Sequence, residues 1–437
     1  MPSGGESAQG RSLLSKNHFD VIVVGGGPAG ATAAYSLASA GVDVAIFDRA
    51  TFPRDKSCGG GLQAKVFSHL PLDVTPVVRN SLYGICFTHQ FGDRFTNRCH
   101  EPVVYGALRR ELDGYLIDQA VKRGARLFDG TRVTGFLQQG EGKVDLSTDA
   151  GAFSCQVLIG ADGANGVVRR ALNNEQAFFN QAGLSFEIER DRIIEDRLDH
   201  QIMRVDWGTL PSGYAWIFPK GDFLNIGVGT PAAFSKRLKP YLYDFLCHER
   251  ILKTERIDLD TLHVSGHKLP SWTDRTTLVD QNVLVIGDAA GLIEPLTGDG
   301  ISYGVQSARL AADVVARWLN GRRSDLSEYR EAVQRAIVPE LTSSRTLMTF
   351  LNAFPRMAHE ILKRNERIWQ LLSRILTGEE SYASLRRSYL GRFDALSEFI
   401  ERFALFYETR RLLDPKGSET LFQRAIRLIV GPVLERV

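Results

Sequence analysis

The run Phe19–Val24 is continuously apolar and rich in β-branched residues, and it stops abruptly at Gly25-Gly26-Gly27-Pro28-Ala29-Gly30. Such a run suits a strand buried on both faces of a parallel sheet. The Ala-rich stretch Ala29–Ala40 follows with helical character, Gly41 stands at its C-cap position, and Val42–Phe47 reads as a second buried strand. Together they make one βαβ unit, and a right-handed crossover sets both strands in one sheet. The glycines have separate tasks. Gly25 makes the tight turn, Gly27 lets backbone N–H groups approach a phosphate, and Gly30 allows helix to pack on strand, with Pro28 and Ala29 opening the helix. The helix N-terminus then faces negative charge. Asp48, at the end of the second strand, is placed to accept from a ribose hydroxyl, with Arg49 beside it. The unit predicts a bound dinucleotide and is silent on FAD versus NAD.

Later segments return to the same sheet. Gln156–Gly160 and Asn282–Gly287 are short apolar strands ending in glycine, each followed by a turn and a helix-like stretch. The cofactor domain is therefore expected to be discontinuous, over 18–75, 105–175 and 275–320. Residues 76–104 and 176–274 alternate apolar and polar side chains and carry turn signals, which assigns them to an antiparallel sheet in a second, substrate domain. From 321 to 437 the pattern becomes helical, with 20 Lys/Arg against 15 Asp/Glu. Residues 1–17 are polar, Gly/Ser-rich and read as a disordered tail. The fold class expected is α/β: a Rossmann-like dinucleotide domain with a parallel sheet, an antiparallel-sheet domain and a C-terminal helical region.

Composition narrows the partners. A net charge of +2 over 437 residues lacks the electrostatic footprint of a nucleic-acid binder. The five cysteines (Cys58, Cys86, Cys99, Cys155, Cys247) show no C-x-x-C spacing, so no metal site or closely ligated cluster is expected. Scattered thiols fit a reducing, cytoplasmic compartment. No run of about 18 apolar residues is present to span a membrane.

A second loop chooses the cofactor. Gly287-Asp288-Ala289-Ala290-Gly291 leads into Glu294-Pro295-Leu296-Thr297-Gly298-Asp299-Gly300-Ile301. Asp288 beside small residues suits a ribityl or ribose hydroxyl, and a turn opening a helix brings N–H groups toward a flavin ring, where negative charge develops on reduction. This is the signature of FAD. The chain here resembles the flavoprotein superfamily of p-hydroxybenzoate hydroxylase. Ala161-Asp162-Gly163-Ala164-Asn165-Gly166 resembles its Asp-Gly motif, with Gly166 where the family has Ser. Arg109, with Leu112 and Leu116, falls where the family has a flavin-contacting arginine. The resemblance implies FAD contacts from Asp162, Gly163, Arg109, Gly287, Asp288, Pro295, Gly298, Gly300 and Ile301.

Two further stretches resemble the geranylgeranyl reductase family: Phe52-Pro53-Arg54-Asp55-Lys56-Ser57-Cys58-Gly59-Gly60-Gly61 and Tyr214-Ala215-Trp216-Ile217-Phe218-Pro219-Lys220. Glu294 and Asp299 depart from it, standing where family members commonly show Asn and Glu. On a strand, Tyr214, Trp216 and Phe218 share one face and would offer an aromatic wall to a polyprenyl chain, or else fill the core of their sheet. Gly59 and Gly60 would let the chain pass close to the isoalloxazine. Cys58, beside Arg54 and Lys56 in sequence, is a candidate proton donor or a small buried residue. The resemblance implies saturation of C=C bonds in a prenyl small molecule or lipid, with NAD(P)H or reduced ferredoxin as donor. The alternatives are a monooxygenase or halogenase of the superfamily, and an electron-transfer flavoprotein. A fatty substrate raises the question of peripheral membrane contact, for which Leu421–Leu434 is the candidate segment, and the oligomeric state is left open.

Overall fold

A computed structural model describes residues 17–385 apart from 140, 141, 174, 255 and 322–324. Residues 1–16 of the proposed tail over 1–17 and the segment Leu421–Leu434 lie outside the described residues.

The apolar runs form one parallel sheet. Its central strands lie in the spatial order Val283–Val285, Gly151–Gly160, His18–Val24, Val44–Phe47 and Arg126–Phe128, and each neighbouring pair is parallel. Val21 stands opposite both Val44 and Val157, and Leu158 opposite Val283. The helices Pro28–Ser39, Arg109–Lys122 and Ile301–Leu319 cover the sheet. All five strands run the same way, so their carboxyl ends share one edge of the sheet. Ligands of such sheets bind there. Gly25, Asp48, Ala161 and Ile286 each follow one of those ends.

The second sheet has seven strands, ordered Ser265–Ser271, Phe179–Glu189, Phe223–Pro231, Tyr214–Lys220, Ile202–Trp207, Gly84–His89 and Arg94–Arg98. The expected antiparallel pairing holds at every step but one: Ile202–Trp207 and Gly84–His89 are parallel. These two strands come from different sequence insertions, so no hairpin turn dictates their relative direction. One face of the sheet packs Ala215, Ile217, Leu224, Ile226 and Val228 against the helix Leu238–Glu249. A small third sheet of Gly61–Gln63, Val104–Gly106 and Asn80–Leu82 lies beside it.

Beyond Ile301–Leu319 the chain is helical, as its periodicity predicts: Ser327–Ala336, Val338–Ala353, Pro355–Arg364, Glu366–Thr377 and Tyr382–Leu385. Asn365 starts the Glu366–Thr377 helix by accepting from the N–H groups of Arg367 and Ile368, and Gly378 ends it at φ 85°. Among the described residues no helix is long and apolar enough to cross a membrane.

The first turn is as tight as the glycine spacing implies. Gly25 sits at φ 108°, and a Cβ on Gly30 would lie 1.8 Å from the Gly25 carbonyl oxygen. Gly30→Ala is therefore expected to destabilise the fold by about 3 kcal/mol through overpacking against fixed backbone. Chemical denaturation of parent and variant measures this.

Candidate active site

The strand ends and the second sheet enclose a single cavity of about 850 Å³. Of the residues singled out in the sequence, Gly25, Gly27, Pro28, Ala29, Asp48, Arg49, Arg109, Asp162, Gly163, Gly287, Asp288, Pro295, Gly298, Gly300 and Ile301 all line it. So do Cys58, Gly59, Gly60, Tyr214, Trp216 and Phe218. Gly30 does not, since it serves the helix–strand contact described above.

The cradle is built from backbone. The Pro28–Ser39 helix begins at Gly27 with no side chain capping its first N–H groups, which leaves them to a ligand. At Gly27 the nearest atoms to a Cβ would be guanidinium nitrogens of Arg109 and Arg54, both 3.9 Å away. Open amides and two cations suit a pyrophosphate. Asp48, expected to accept from a ribose hydroxyl, accepts from Gly26 N–H at 2.8 Å and from Ala50 N–H at 2.9 Å, so it also fixes the glycine loop. Arg54, read in the sequence as a neighbour of Cys58, turns instead to Asp113 at 3.2 Å and Asp48 at 3.6 Å.

The second loop is held by the residue that departs from the family pattern. Glu294 is fully buried and accepts from Leu296 N–H at 2.6 Å, Thr297 N–H at 2.9 Å and the Thr297 hydroxyl. Its carboxylate thus shapes the turn whose amides precede Ile301. Asp299 accepts from Ser302 N–H at 3.0 Å and pairs with the buried Lys65 at 3.3 Å. Lys65 also donates to Tyr303 at 3.2 Å, and its backbone N–H donates to Leu376 of the Glu366–Thr377 helix. Asp288 faces Lys56 at 3.7 Å.

The aromatic strand divides its two faces as alternation demands. Ala215 and Ile217 enter the core of the sheet, while Tyr214, Trp216 and Phe218 bound the cavity, with successive ring centroids 5.6 and 6.3 Å apart. Tyr214 donates to the Thr297 carbonyl at 2.5 Å, and burial pushes its phenol well above the usual range. Gly59 packs on Phe218, where a Cβ would sit 3.0 Å from the ring, so this glycine also serves the wall. Cys58 Sγ accepts from Gly60 N–H at 3.3 Å. The cations set against the sulfur are Arg109 and Lys220 rather than Arg54 and Lys56, which are drawn off by carboxylates. Burial works against the Arg109 charge, and Asp113, bound through two 2.8 Å contacts, outweighs it together with Cys58, so the guanidinium is held more firmly protonated than usual.

Several lining groups were not anticipated. His267 bonds Ser57 at 3.0 Å, and burial lowers it to about 4, so it stands neutral in the cavity wall. The C-terminal helices contribute Leu351, Leu362, Trp369, Leu372 and Leu376, which bound an apolar space in the cavity with Ile85, Phe87 and Met203 of the second sheet, on which Trp369 and Leu376 pack. Helical periodicity marked those helices without saying what they cover. Lys220, behind the cavity wall rather than in it, was legible in principle: it continues the even-numbered face of Tyr214, Trp216 and Phe218, where a charge breaks the apolar pattern.

The departure at Gly166 leaves no helix end uncapped. Asp162 Oδ2 accepts from Val168 N–H at 2.7 Å at the start of Val167–Leu172, while its buried Oδ1 has no partner within the protein. Burial pushes this carboxyl up to about 6 from its ordinary 3.8. A carboxyl raised in the folded state favours folding fully below its unfolded value, and that contribution is lost as the pH rises through about 6. Asp162→Asn keeps the acceptor and removes the titration. The flavin-free variant is expected to lose this pH dependence and to exceed the parent at pH 7 by about 2 kcal/mol, as read by denaturation at pH 4 and 7.

The amide cradle, the paired cations and the unpartnered Asp162 oxygen all fit an FAD. A family profile described as FAD binding domain matches residues 18–338. An uncharacterised protein of Methanosarcina barkeri is 32% identical, over 78% of this chain and 85% of its own length. Menaquinone reductase of Mycolicibacterium smegmatis is 32% identical over 68% and 76%. Digeranylgeranylglycerophospholipid reductase 2 of Methanothermobacter thermautotrophicus is 30% identical over 75% and 86%. Among solved structures, a geranylgeranyl bacteriochlorophyll reductase-like protein of Thermoplasma acidophilum has a TM-score of 0.68 at 22% identity, covering 77% of this chain and 88% of that one, a likeness of fold. The chain belongs to the geranylgeranyl reductase family of FAD-dependent oxidoreductases.

Proposed function

We propose that the protein saturates C=C bonds of a geranylgeranyl or related prenyl chain. The observation that most supports this is the joint lining of one cavity: the amide cradle bounds one part, and aromatic and aliphatic side chains of the second sheet and C-terminal helices bound the rest. A prenyl chain offers little beyond apolar area and π-faces, and such walls match it. The relatives' names, for a quinone and a digeranylgeranyl lipid, point the same way.

Bound and reduced, FAD would supply the hydride, with NAD(P)H or reduced ferredoxin as its source of electrons. The protein's residues do the rest. Gly25, Gly27 and the uncapped helix would hold the pyrophosphate, and Asp48 fixes their loop. Glu294 takes up the amide N–H groups of Leu296, Thr297 and Gly298, so it would hold this turn in one shape beside the ring rather than present those amides to it. Tyr214, Trp216 and Phe218 keep water from the alkene and offer π-faces to the positive charge that builds on it. An isolated alkene accepts hydride poorly unless a proton joins it, and Cys58, which lines the cavity, would hold that proton.

The full-length flavoprotein, reduced anaerobically, is expected to be reoxidised by geranylgeranyl diphosphate, a digeranylgeranyl lipid or menaquinone, with a product heavier by two hydrogens per bond. Absence of reoxidation with all three would overturn the reading. Oxygen uptake coupled to NAD(P)H consumption without a saturated product would put an oxygen-using enzyme in its place. Leu372→Trp, which fills the apolar space, is expected to raise KM for the geranylgeranyl chain about tenfold, some 1.4 kcal/mol of binding, and to leave short prenyl compounds little changed.

A further inference from the structure

The aromatic face of Tyr214–Lys220 ends in an ammonium. Lys220 is completely buried and donates to Glu187 Oε1 at 2.7 Å, while 37% of the Glu187 side chain reaches solvent. Neither residue lines the cavity, whereas Cys58 does. The loop carrying Cys58 lies directly on the ammonium: Gly60 adopts φ 61°, and a Cβ there would sit 2.4 Å from Lys220 Nζ. Asn225 ties the group together. Its amide donates to Glu187 Oε1 at 3.2 Å and to the Cys58 carbonyl at 3.1 Å, and its Oδ1 accepts from Trp216 at 2.7 Å. Strand register sets this up, since Asn225 stands opposite both Phe218 and Glu187. A buried ammonium is costly, and a nonpolar side chain would fill the space more cheaply if packing were its only task.

We propose that Glu187 and Lys220 form the path along which Cys58 regains its proton from solvent, with Glu187 holding Lys220 charged and Lys220 acting on the sulfur. This rests on the reading of Cys58 as proton holder in prenyl reduction. One alkene carbon takes the proton as the S–H bond breaks, and its neighbour takes the hydride given up by the reduced cofactor. The C=C bond becomes a single bond, the cofactor is oxidised by two electrons, and the sulfur is left as a thiolate facing Lys220 and Arg109. Lys220 passes a proton to the sulfur and is recharged through Glu187.

Burial draws the Lys220 amine down and the Glu187 carboxyl up, so their proton affinities approach one another, as a relay requires. The other charged or titratable groups facing this path are Arg109, tied to Asp113, which faces both Lys220 and the sulfur; Arg110, facing Glu187; and Tyr214, facing the sulfur. Lys220 and Glu187 are positioning residues in this scheme, since they act through Cys58.

The test is the pH profile of Cys58 alkylation by iodoacetamide in the flavin-loaded, full-length protein, followed at the Cys58 peptide by mass spectrometry. Lys220→Met is expected to raise the midpoint by about one pH unit, by removing a cation from beside the sulfur. Glu187→Gln is expected to raise it as well, because Lys220 then loses its charge. Direct loss of a negative charge near the sulfur would lower the midpoint, so the direction of the shift separates the two causes. An unmoved profile in Lys220→Met, or an unmoved or lowered midpoint in Glu187→Gln, would overturn the proposal. Should Lys220→Met not fold, Glu187→Gln decides, because its amide oxygen still accepts from Lys220 at a partly exposed position. The alkylation readout needs no substrate. A lack of prenyl turnover would therefore remove the proposed reaction without deciding the relay, and a failed relay would leave the reaction standing.

Discussion

Everything at the site depends on five parallel strands ending along one edge of a sheet. Hydrogen bonding fixes their direction, so the residues after Val24, Phe47, Gly160 and Val285 meet although they are widely separated in the chain. The uncapped start of the Pro28–Ser39 helix opens on the same edge. A sheet with one of these strands reversed would scatter the amides, the Asp48 carboxylate and the Asp162 carboxylate to opposite ends of the domain. The cofactor cradle is thus a consequence of strand polarity before it is a matter of any side chain.

Around that edge, buried charge is used to shape loops. Glu294 gathers three donors from a single turn, and Asp48 gathers two around the first glycine loop. Lys65 reaches from Asp299 in the second loop to the helix that carries Trp369 and Leu372. Glu294 and Asp48 accept from backbone N–H groups of fixed geometry, which is the condition under which a buried carboxylate specifies one conformation.

The sequence made the cradle legible because its determinants are local. Gly25 to Gly30, the Ala-rich helix and Asp48 lie within one βαβ unit, and period-two alternation alone placed Tyr214, Trp216 and Phe218 on one face. What could not be read depends on pairing between distant segments. Asn225 joins Glu187 to the Cys58 loop only because three strands align in one register, and no local pattern carries that information. The choice of cations at Cys58 was misread for the same reason: Arg54 and Lys56 are its neighbours in sequence, Arg109 and Lys220 in space. Glu294 looked like a departure from a pattern until the turn it organises was visible.

The parallel join between Gly84–His89 and Ile202–Trp207 has a further consequence, for how the molecule is made. Thr88 bonds Asp206 at a sequence separation of 118, and Phe91 N–H reaches the same carboxylate. The sheet that bounds the apolar space cannot close until both insertions have left the ribosome, and contacts of such separation are slow to form. During synthesis the earlier hairpin, Gly84–His89 with Arg94–Arg98, waits with an open edge until Ile202–Trp207 emerges to pair with it.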